Sequence, residues 1–306
     1  MFGERYIRDP DRVWAAATGS GWGIRTVDLR FAGSAYRFCG LNDSQEQVVR
    51  RSYGDLVCDS SGHTTAATVR VVRVDGDVFF PLPPLSEEFS LDFDYGRTAV
   101  VFAGYGIAGR FDRNRSSDGA LWSPVDSGER FRLVFENCLR VVAAYRLLNE
   151  GGVLLHSAGV VRDNRALIFF GKSGAGKSTI ARLGLAEKYA ILSDDMNAVR
   201  PEGPGFCAWP LPFAGDYRSH QVARECIPLA GLFRIEHATK HTVERLAAAI
   251  SVASLVVCSP FVNRDPHCQD ALISSLEALV ATTPCAALKF VPDEGLWHAL
   301  AGGETP

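Results

Sequence analysis

The sequence has no excess of positive charge, no closely paired cysteines and no long hydrophobic run, and each absence removes a class of function. Its 306 residues carry 32 Lys and Arg against 35 Asp and Glu, a formal net charge of −3. Nucleic-acid readers usually present a basic face, so nucleic acid is not an expected partner. Eight cysteines stand at 39, 58, 138, 207, 226, 258, 268 and 285, with no Cys-x-x-Cys pair among them. Disulfide frameworks belong mainly to small secreted domains, and zinc sites to close cysteine pairs, so these read as thiols in a reducing compartment. The opening Met-Phe-Gly-Glu-Arg-Tyr-Ile-Arg-Asp lacks the apolar stretch of a signal peptide. The longest apolar run, Ala247 to Cys258, is shorter than the ~20 residues that span a bilayer and contains two serines. The expectation is a cytoplasmic protein with no membrane partner. There is no internal repeat and no low-complexity tract.

What is present is a globular composition. Apolar residues make up 47% and charged residues 22%, enough for a substantial core. At ~150 residues per domain the length suggests two domains or one large one.

Residues 1–126 read mostly as strands. Val27, Leu29 and Phe31 alternate with Asp28 and Arg30, the period of a half-buried strand. Leu91, Phe93 and Tyr95 alternate with Asp92 and Asp94 in the same way. Thr68 to Val74 and Val78 to Phe80 flank Asp75-Gly76, which predicts a hairpin. One helix is expected near Ser44 to Gly54, and Asp112 to Gly119 is polar enough for an exposed loop. From Gly128 the period changes: Phe131, Phe135, Cys138, Val142 and Tyr145 fall on one helical face that runs to Asn149. Asp126 and Glu129 offer a capping box at its start, and Gly151-Gly152 ends it. The expected division is therefore a β-rich N-terminal domain, 1–126, and a nucleotide-binding domain, 127–306.

In the second part the chain reads strand Val153–Val161, turn Arg162–Arg165, strand Ala166–Phe170, glycine loop, helix Thr179–Glu187 and strand Tyr189–Ser193. A later helix is expected from Pro266, capped by Asp265 and carrying Leu272, Leu276 and Leu279 on its apolar stripe. A strand near Ala286–Val291 and a short terminal helix complete the chain.

The chemistry concentrates at Gly171-Lys-Ser-Gly-Ala-Gly-Lys177-Ser178, which satisfies the G-x-x-x-x-G-K-[ST] phosphate-loop (Walker A) pattern. It follows an apolar strand and opens a helix, the context the pattern requires. Glycines let consecutive backbone N–H groups of Gly171, Ser173, Gly174, Ala175, Gly176, Lys177, Ser178 and Thr179 curl toward phosphate oxygens, and the helix dipole adds positive potential there. Lys177 would reach the β- and γ-phosphates and the Ser178 hydroxyl a Mg²⁺ ion, so the expected ligands are ATP and Mg²⁺. Sixteen residues beyond Ser178 come Asp194 and Asp195, at the end of the apolar run Tyr-Ala-Ile-Leu. Near a triphosphate one can hold the magnesium shell and the other accept a proton from an attacking hydroxyl. The alternative is that Asp195 merely caps the next turn. His156 lies fifteen residues before Gly171, in the preceding strand; a lone histidine there is more often a satisfied core residue than a functional one. His237 and His241 have helical metal spacing but no third ligand, and read as a solvated face.

These elements together resemble the kinase domain of bacterial HPr kinase/phosphorylase and the related HPr-kinase-like proteins that phosphorylate precursor peptides in lasso-peptide clusters. The resemblance rests on His156 in Leu-Leu-His-Ser-Ala-Gly-Val, on Gly171–Ser178, and on Asp194-Asp195 in Leu-Ser-Asp-Asp. It is firm over about residues 151–201, and its specific part is the short gap between loop and carboxylates. Pro210-Leu-Pro-Phe-Ala-Gly-Asp and Pro228-Leu-Ala-Gly-Leu-Phe-Arg-Ile look like the strand pair that succeeds the nucleotide site in that family. The resemblance implies an α/β (α+β) phosphoenolpyruvate carboxykinase-like domain with a mixed, largely antiparallel sheet. It also implies Asp194 as the acid/base at the acceptor hydroxyl, Asp195 as a magnesium ligand, and His156 and Lys177 beside the transferring phosphate. The glycine-rich signature of true HPr kinases and their Pro-Gly-Arg-Asn-type loop are not found, which leaves the HPr substrate and the reverse reaction open.

The function expected is an ATP- and Mg²⁺-dependent kinase that transfers the γ-phosphoryl to a hydroxyl, that of a serine in a peptide or small protein, with the N-terminal domain recognising the acceptor. Homo-oligomerisation is left open. Two other readings remain: a small-molecule phosphate-loop kinase, and a nucleotide-gated peptide-binding module with little transfer.

Overall fold

The computed structural model describes residues 3–15, 20–58, 65, 67–84, 90–113, 118–213, 215–217 and 226–302. It is a mixed α/β protein with two mixed sheets. By internal contacts the chain divides into Met1–Arg146 and Leu147–Pro306.

The first unit contains α1 (Pro10–Ala15), β1 (Arg25–Phe31), β2 (Ser34–Leu41), α2 (Asp43–Tyr53), β3 (Val57–Cys58) and β4 (Ala67–Arg73). After these come β5 (Asp92–Tyr95), β6 (Ala99–Gly104), β7 (Ile107–Asp112), β8 (Gly119–Ser123) and most of α3 (Gly128–Asn149). The strands form one sheet in the order β3-β1-β2-β4-β8-β7-β6-β5. On β1, Val27, Leu29 and Phe31 are buried as their alternation requires. Asp28 is buried too, because Arg37 opposite it on β2 donates two hydrogen bonds of 2.9 and 3.0 Å to its carboxylate. Helix α2 starts on a capping box: Gln45 N–H donates to the Asn42 side chain at 2.8 Å and Asn42 N–H to the Gln45 side chain at 3.1 Å.

The hairpin expected around Asp75-Gly76 does not form. β4 runs parallel to β2 on one edge and to β8 on the other, so neither edge is free for a returning strand. Residues 76–78 instead make a 3-10 turn, and the chain on either side of Phe79 pairs with the N-terminal segment: Arg8 N–H donates to Val78 O and Phe80 N–H to Tyr6 O. Of the expected loop Asp112–Gly119, the ends belong to the β7–β8 pair and residues 114–117 lie outside the described residues.

Helix α3 matches its periodicity. Phe131, Phe135, Cys138, Val142 and Tyr145 are all buried, and the Phe135 ring lies 4.4 Å from Phe38 and 5.7 Å from Tyr53. These contacts draw most of α3 into the first unit, so the division falls within the helix rather than at 126/127. The expected capping box is not made: Glu129 accepts from Arg132, and Asp126 from the Ser127 hydroxyl. The C-terminus closes as a Schellman motif, with Gly152 N–H on Leu147 O, Gly151 N–H on Leu148 O, and Gly151 at φ +74°.

The second unit holds β9 (Val153–Arg162), β10 (Arg165–Phe170), α4 (Lys177–Ala186), β11 (Ala190–Ser193), β12 (Met196–Glu202) and β13 (Gly205–Trp209). The remainder is β14 (Ile227–His237), β15 (Thr242–Arg245), α5 (Ala248–Val257), α6 (Gln269–Thr282), β16 (Cys285–Phe290) and α7 (Gly295–Gly302). Its sheet runs β10-β9-β12-β13-β14-β16-β15, with β11 also on β9 and β14 also on β10. Among the described residues of this sheet, only β10–β14 and β14–β16 are parallel. β9 and β10 are joined through Asp163 and Asn164, both left-handed at φ +51° and +58°, the conformation a two-residue hairpin turn needs. Ala158, Val160, Phe169, Ile180, Ile235, Leu288, Phe290 and Trp297 pack into one core beneath α4 and α7.

Three expectations shift here. Helix α6 begins at Gln269, not Pro266, because the buried Asp265 carboxylate caps the preceding turn by accepting from His267 N–H at 2.9 Å. Of the strand pair expected at 210–216 and 228–235, only the second forms a strand among the described residues, inside β14; residue 214 lies outside the described residues, Pro210 and Pro212 lack the N–H a ladder needs, and Leu211 and Phe213 are buried. His237 ends β14 and His241 precedes β15, so the two do not share a helical face. Among the described residues no helix is long and apolar enough to cross a membrane.

Because Phe135 anchors three aromatic contacts, Phe135→Ala should cost ~3–5 kcal/mol in chemical denaturation of the first unit. Glu129→Ala, on the exposed side of the same helix, should change stability by less than ~0.5 kcal/mol.

Candidate nucleotide site

β10 delivers the chain to the glycine loop. Ile168, Phe169 and Phe170 are fully buried, which fixes where the strand ends. The loop then turns on two left-handed glycines, Gly174 at φ +76° and Gly176 at φ +105°. Around Gly174 the space is open, whereas a Cβ on Gly176 would lie 2.7 Å from Phe290 Cζ and 3.0 Å from His237 Cε1. Gly176 is therefore required both by its backbone angle and by its neighbours. Helix α4 starts at Lys177 with no side-chain cap, so the amides of its first turn have no intrahelical acceptor and face the loop.

Lys177 is buried, and its ammonium donates to the carbonyls of Gly171 and Lys172 at 3.3 and 3.4 Å. Burial lowers its pKa from the ordinary lysine value; Cys258, Asp195 and Asp194 oppose that shift, so all three lie close enough to act on the ammonium. Ser173 and Ser178 are exposed and Thr179 is partly so.

The two aspartates sit at a corner. β11 pairs with β9 as far as Ser193 opposite Gly159, and β12 resumes on the same strand with Met196 opposite His156. Asp194 and Asp195 occupy the gap. Beneath them a buried polar network fixes the backbone: Ser193 Oγ accepts from the amides of Asp195 and Met196 at 3.1 and 3.2 Å. Asn197 Nδ2 donates to Ser157 O at 2.7 Å and to Ser157 Oγ at 3.0 Å, and Ser157 N–H donates to Asp195 O at 3.0 Å. Asp194 is buried and accepts from Tyr217 N–H at 3.1 Å, while any side chain at Gly215 would strike its carboxylate.

Asp195 is more open, with 27% of its side chain exposed, and its Oδ1 lies 3.9 Å from His156 Nε2. His156 is 45% exposed, so it is not a core histidine; its own N–H is held by Cys258 O at 2.8 Å. The structure thus brings Lys177, Asp194, Asp195 and His156 to one place. It adds Cys258, which no motif signalled: burial raises the pKa of its thiol, and Lys177 and the Gly171 backbone lie close enough to oppose that shift. Asn197, Gly215 and Tyr217 were likewise invisible, since their parts depend on tertiary neighbours. A separate cavity of about 570 Å³, lined in part by Arg245, Ser251 and Thr283, contains none of these residues.

Among the described residues no three His, Cys, Asp or Glu side chains converge as a metal cage. Two carboxylates and a serine hydroxyl suit Mg²⁺, which keeps water and phosphate oxygens in its shell, better than a metal needing an all-protein site. No protein-family model matches the chain, and no curated protein matches it at a significant level.

The two glycines make different demands. Gly174→Ala should cost ~1–2 kcal/mol, the ordinary penalty for a left-handed alanine. Gly176→Ala should cost at least ~3 kcal/mol, because Phe290 or the loop must also move. Thermal or urea melts of the two variants compare them directly, and equal losses would mean that the packing against Gly176 is not limiting.

Proposed function

We propose that this protein is an ATP- and Mg²⁺-dependent kinase that transfers the γ-phosphoryl group to a hydroxyl, that of a serine in a peptide or small protein, and that it is HPr-kinase-like. The observation that carries the reading is the convergence on Lys177 of the uncapped glycine loop and the Asp194-Asp195 corner. A phosphate loop alone would serve many nucleotide-binding proteins. A loop with a carboxylate pair and an exposed histidine at its mouth supplies cation, metal ligands and base together. The largely antiparallel pairing of the second unit, with the loop strand β10 parallel only to β14, supports a phosphoenolpyruvate carboxykinase-like arrangement over a doubly wound sheet. Recognition of the acceptor falls to residues 1–126 in this reading.

Lys177, Ser178 and the amides of the first turn of α4 would hold the triphosphate, with Ser178 and one aspartate on the metal. The other aspartate would take the proton from the acceptor hydroxyl, and His156 would orient it or bear part of the developing charge. The family pattern gives the base to Asp194. One observation favours the reverse: Asp195 is the more open carboxylate and faces His156, whereas Asp194 is buried on the Tyr217 amide. A base must meet an acceptor arriving from solvent, and a metal ligand is best held still.

Lys177→Ala deletes a charge-assisted contact worth ~1.5–3 kcal/mol, so Mg·ATP affinity measured by calorimetry should fall about 10- to 100-fold. Unchanged affinity would remove the phosphate-loop assignment.

Asp194→Asn and Asp195→Asn should each leave ATP binding within about tenfold. The variant that loses the base should slow phosphate transfer to serine-bearing peptides by roughly 10²–10⁴, with no rescue by metal. The variant that loses the metal ligand should recover part of its rate in excess Mg²⁺ or Mn²⁺. A metal titration of both assigns the roles; if neither slows transfer, the pair is structural.

A further inference from the structure

We propose that Cys207 and Cys226 are a dithiol pair that forms a reversible intramolecular disulfide. Cys207 lies in β13 and is buried; Cys226 is the residue just before β14 and is partly exposed. Both are free thiols. The β13–β14 register sets Cys207 opposite Pro228 and Ala208 opposite Ile227. Side chains alternate along a strand, so Cys226 falls on the same face as Pro228 and diagonal to Cys207, within reach of it. The two side chains lie close enough for Cys226 to act on the ionisation of Cys207. Other cysteines have different neighbours: Cys258 faces Gly171 and Lys177, and Cys285 faces Ser251 and Arg234.

The oxidant required is a low-molecular-weight disulfide. The Cys226 thiolate attacks one of its sulfurs; a protein–small-molecule disulfide forms and one small thiolate leaves. Cys207 then gives its proton to solvent, and its sulfur attacks Cys226 Sγ, expelling the second small thiolate. Two protein thiols are oxidised and one small disulfide is reduced to two thiols. The order is set by the surroundings. Burial first, and then the contact with Cys226, push the Cys207 thiol up to about 12, so the more open Cys226 makes the first attack. Once Cys226 is capped it can no longer carry charge, and its opposition to the Cys207 thiolate disappears. Diagonal strand neighbours lie somewhat farther apart than disulfide-bonded residues usually do, so closure pulls the start of β14 toward β13. The same exchange run backwards by a small thiol, entering at the more open Cys226 side, reopens the bond. Neither step requires a bound nucleotide.

The test is to incubate the full-length protein with excess oxidised glutathione, alkylate the remaining thiols and map the peptides by mass spectrometry without reduction. The expected product is a Cys207–Cys226 cross-link, two hydrogens lighter than the dithiol and reversed by dithiothreitol. Closing this loop should raise the Tm of the second unit by roughly 5–10 °C, a gain that Cys226→Ser and Cys207→Ser should both abolish. If Cys207→Ser does not fold, the surface-side Cys226→Ser still decides. A glutathione adduct that persists on Cys226, pairing of Cys226 with another cysteine, or both thiols remaining alkylatable would each overturn the proposal.

Discussion

Strand β9 hydrogen-bonds along both edges, and the candidate site depends on that arrangement. One edge carries β10, which ends at the glycine loop. The other carries β11 and then β12, with the aspartate corner in the gap between them. His156 and Ser157 belong to β9 itself. Helix α4 leaves the loop on one edge and returns the chain, through β11, to the opposite edge. The sixteen-residue step from Ser178 to Asp194 is the length of that return: most of a three-turn helix, a tight turn and a four-residue strand. A parallel, doubly wound sheet would need a longer path to bring a second acidic motif to the same place.

Polar groups hold this geometry more than apolar ones do. The corner is made of backbone that leaves the ladder, and buried backbone must find partners elsewhere. Ser193, Ser157 and Asn197 provide them, all three buried. Asn197 Oδ1 is the exception: it is buried, has no hydrogen-bond partner among the described residues, and presses against Gly159, where a larger residue would collide with it. The amide has been oriented to satisfy two serines at the expense of its own oxygen. A network committed in this way rigidifies the aspartates above it, because shifting any member exposes another unmet donor or acceptor.

Most of the second unit was legible because its signals are local. The β9–β10 hairpin needs two left-handed residues and has Asp163-Asn164, and the loop needs glycines at 174 and 176; in the first unit, α3 likewise shows its buried stripe in five residues. The features that could not be read depend on which partner wins a shared edge or donor. Asp75-Gly76 is a good turn, but β4 was already flanked by β2 and β8. Asp265 is a good cap, but it serves the turn before α6. Prolines at 210 and 212 gave warning against a strand that the family pattern suggested. At the site, the identities of Lys177, Asp194, Asp195 and His156 were visible, but not that His156 would be half exposed or that Cys258 would stand beside the lysine. Burial and through-space neighbours are properties of the folded chain, and one sequence does not contain them in readable form.

The state of Lys177 shows how loop and corner work on each other. Burial alone disfavours its charge, and its hydrogen bonds to Gly171 and Lys172, at 3.3 and 3.4 Å, are at the weak end for an ammonium. Cys258 and the two nearby carboxylates oppose that effect of burial only in part. Such a lysine is held in place by groups that give it up at small cost, since two long bonds to neutral carbonyls are weaker than one short bond to an anion. Moving it toward a phosphate would exchange poor acceptors for good ones and bring the amides of α4, which have no cap, into the same cluster. The carboxylates would then face an anion across the loop, an unfavourable approach unless a divalent cation stands between them. Nucleotide and metal would accordingly bind as a unit, and neither half of the site is fully favourable without the other.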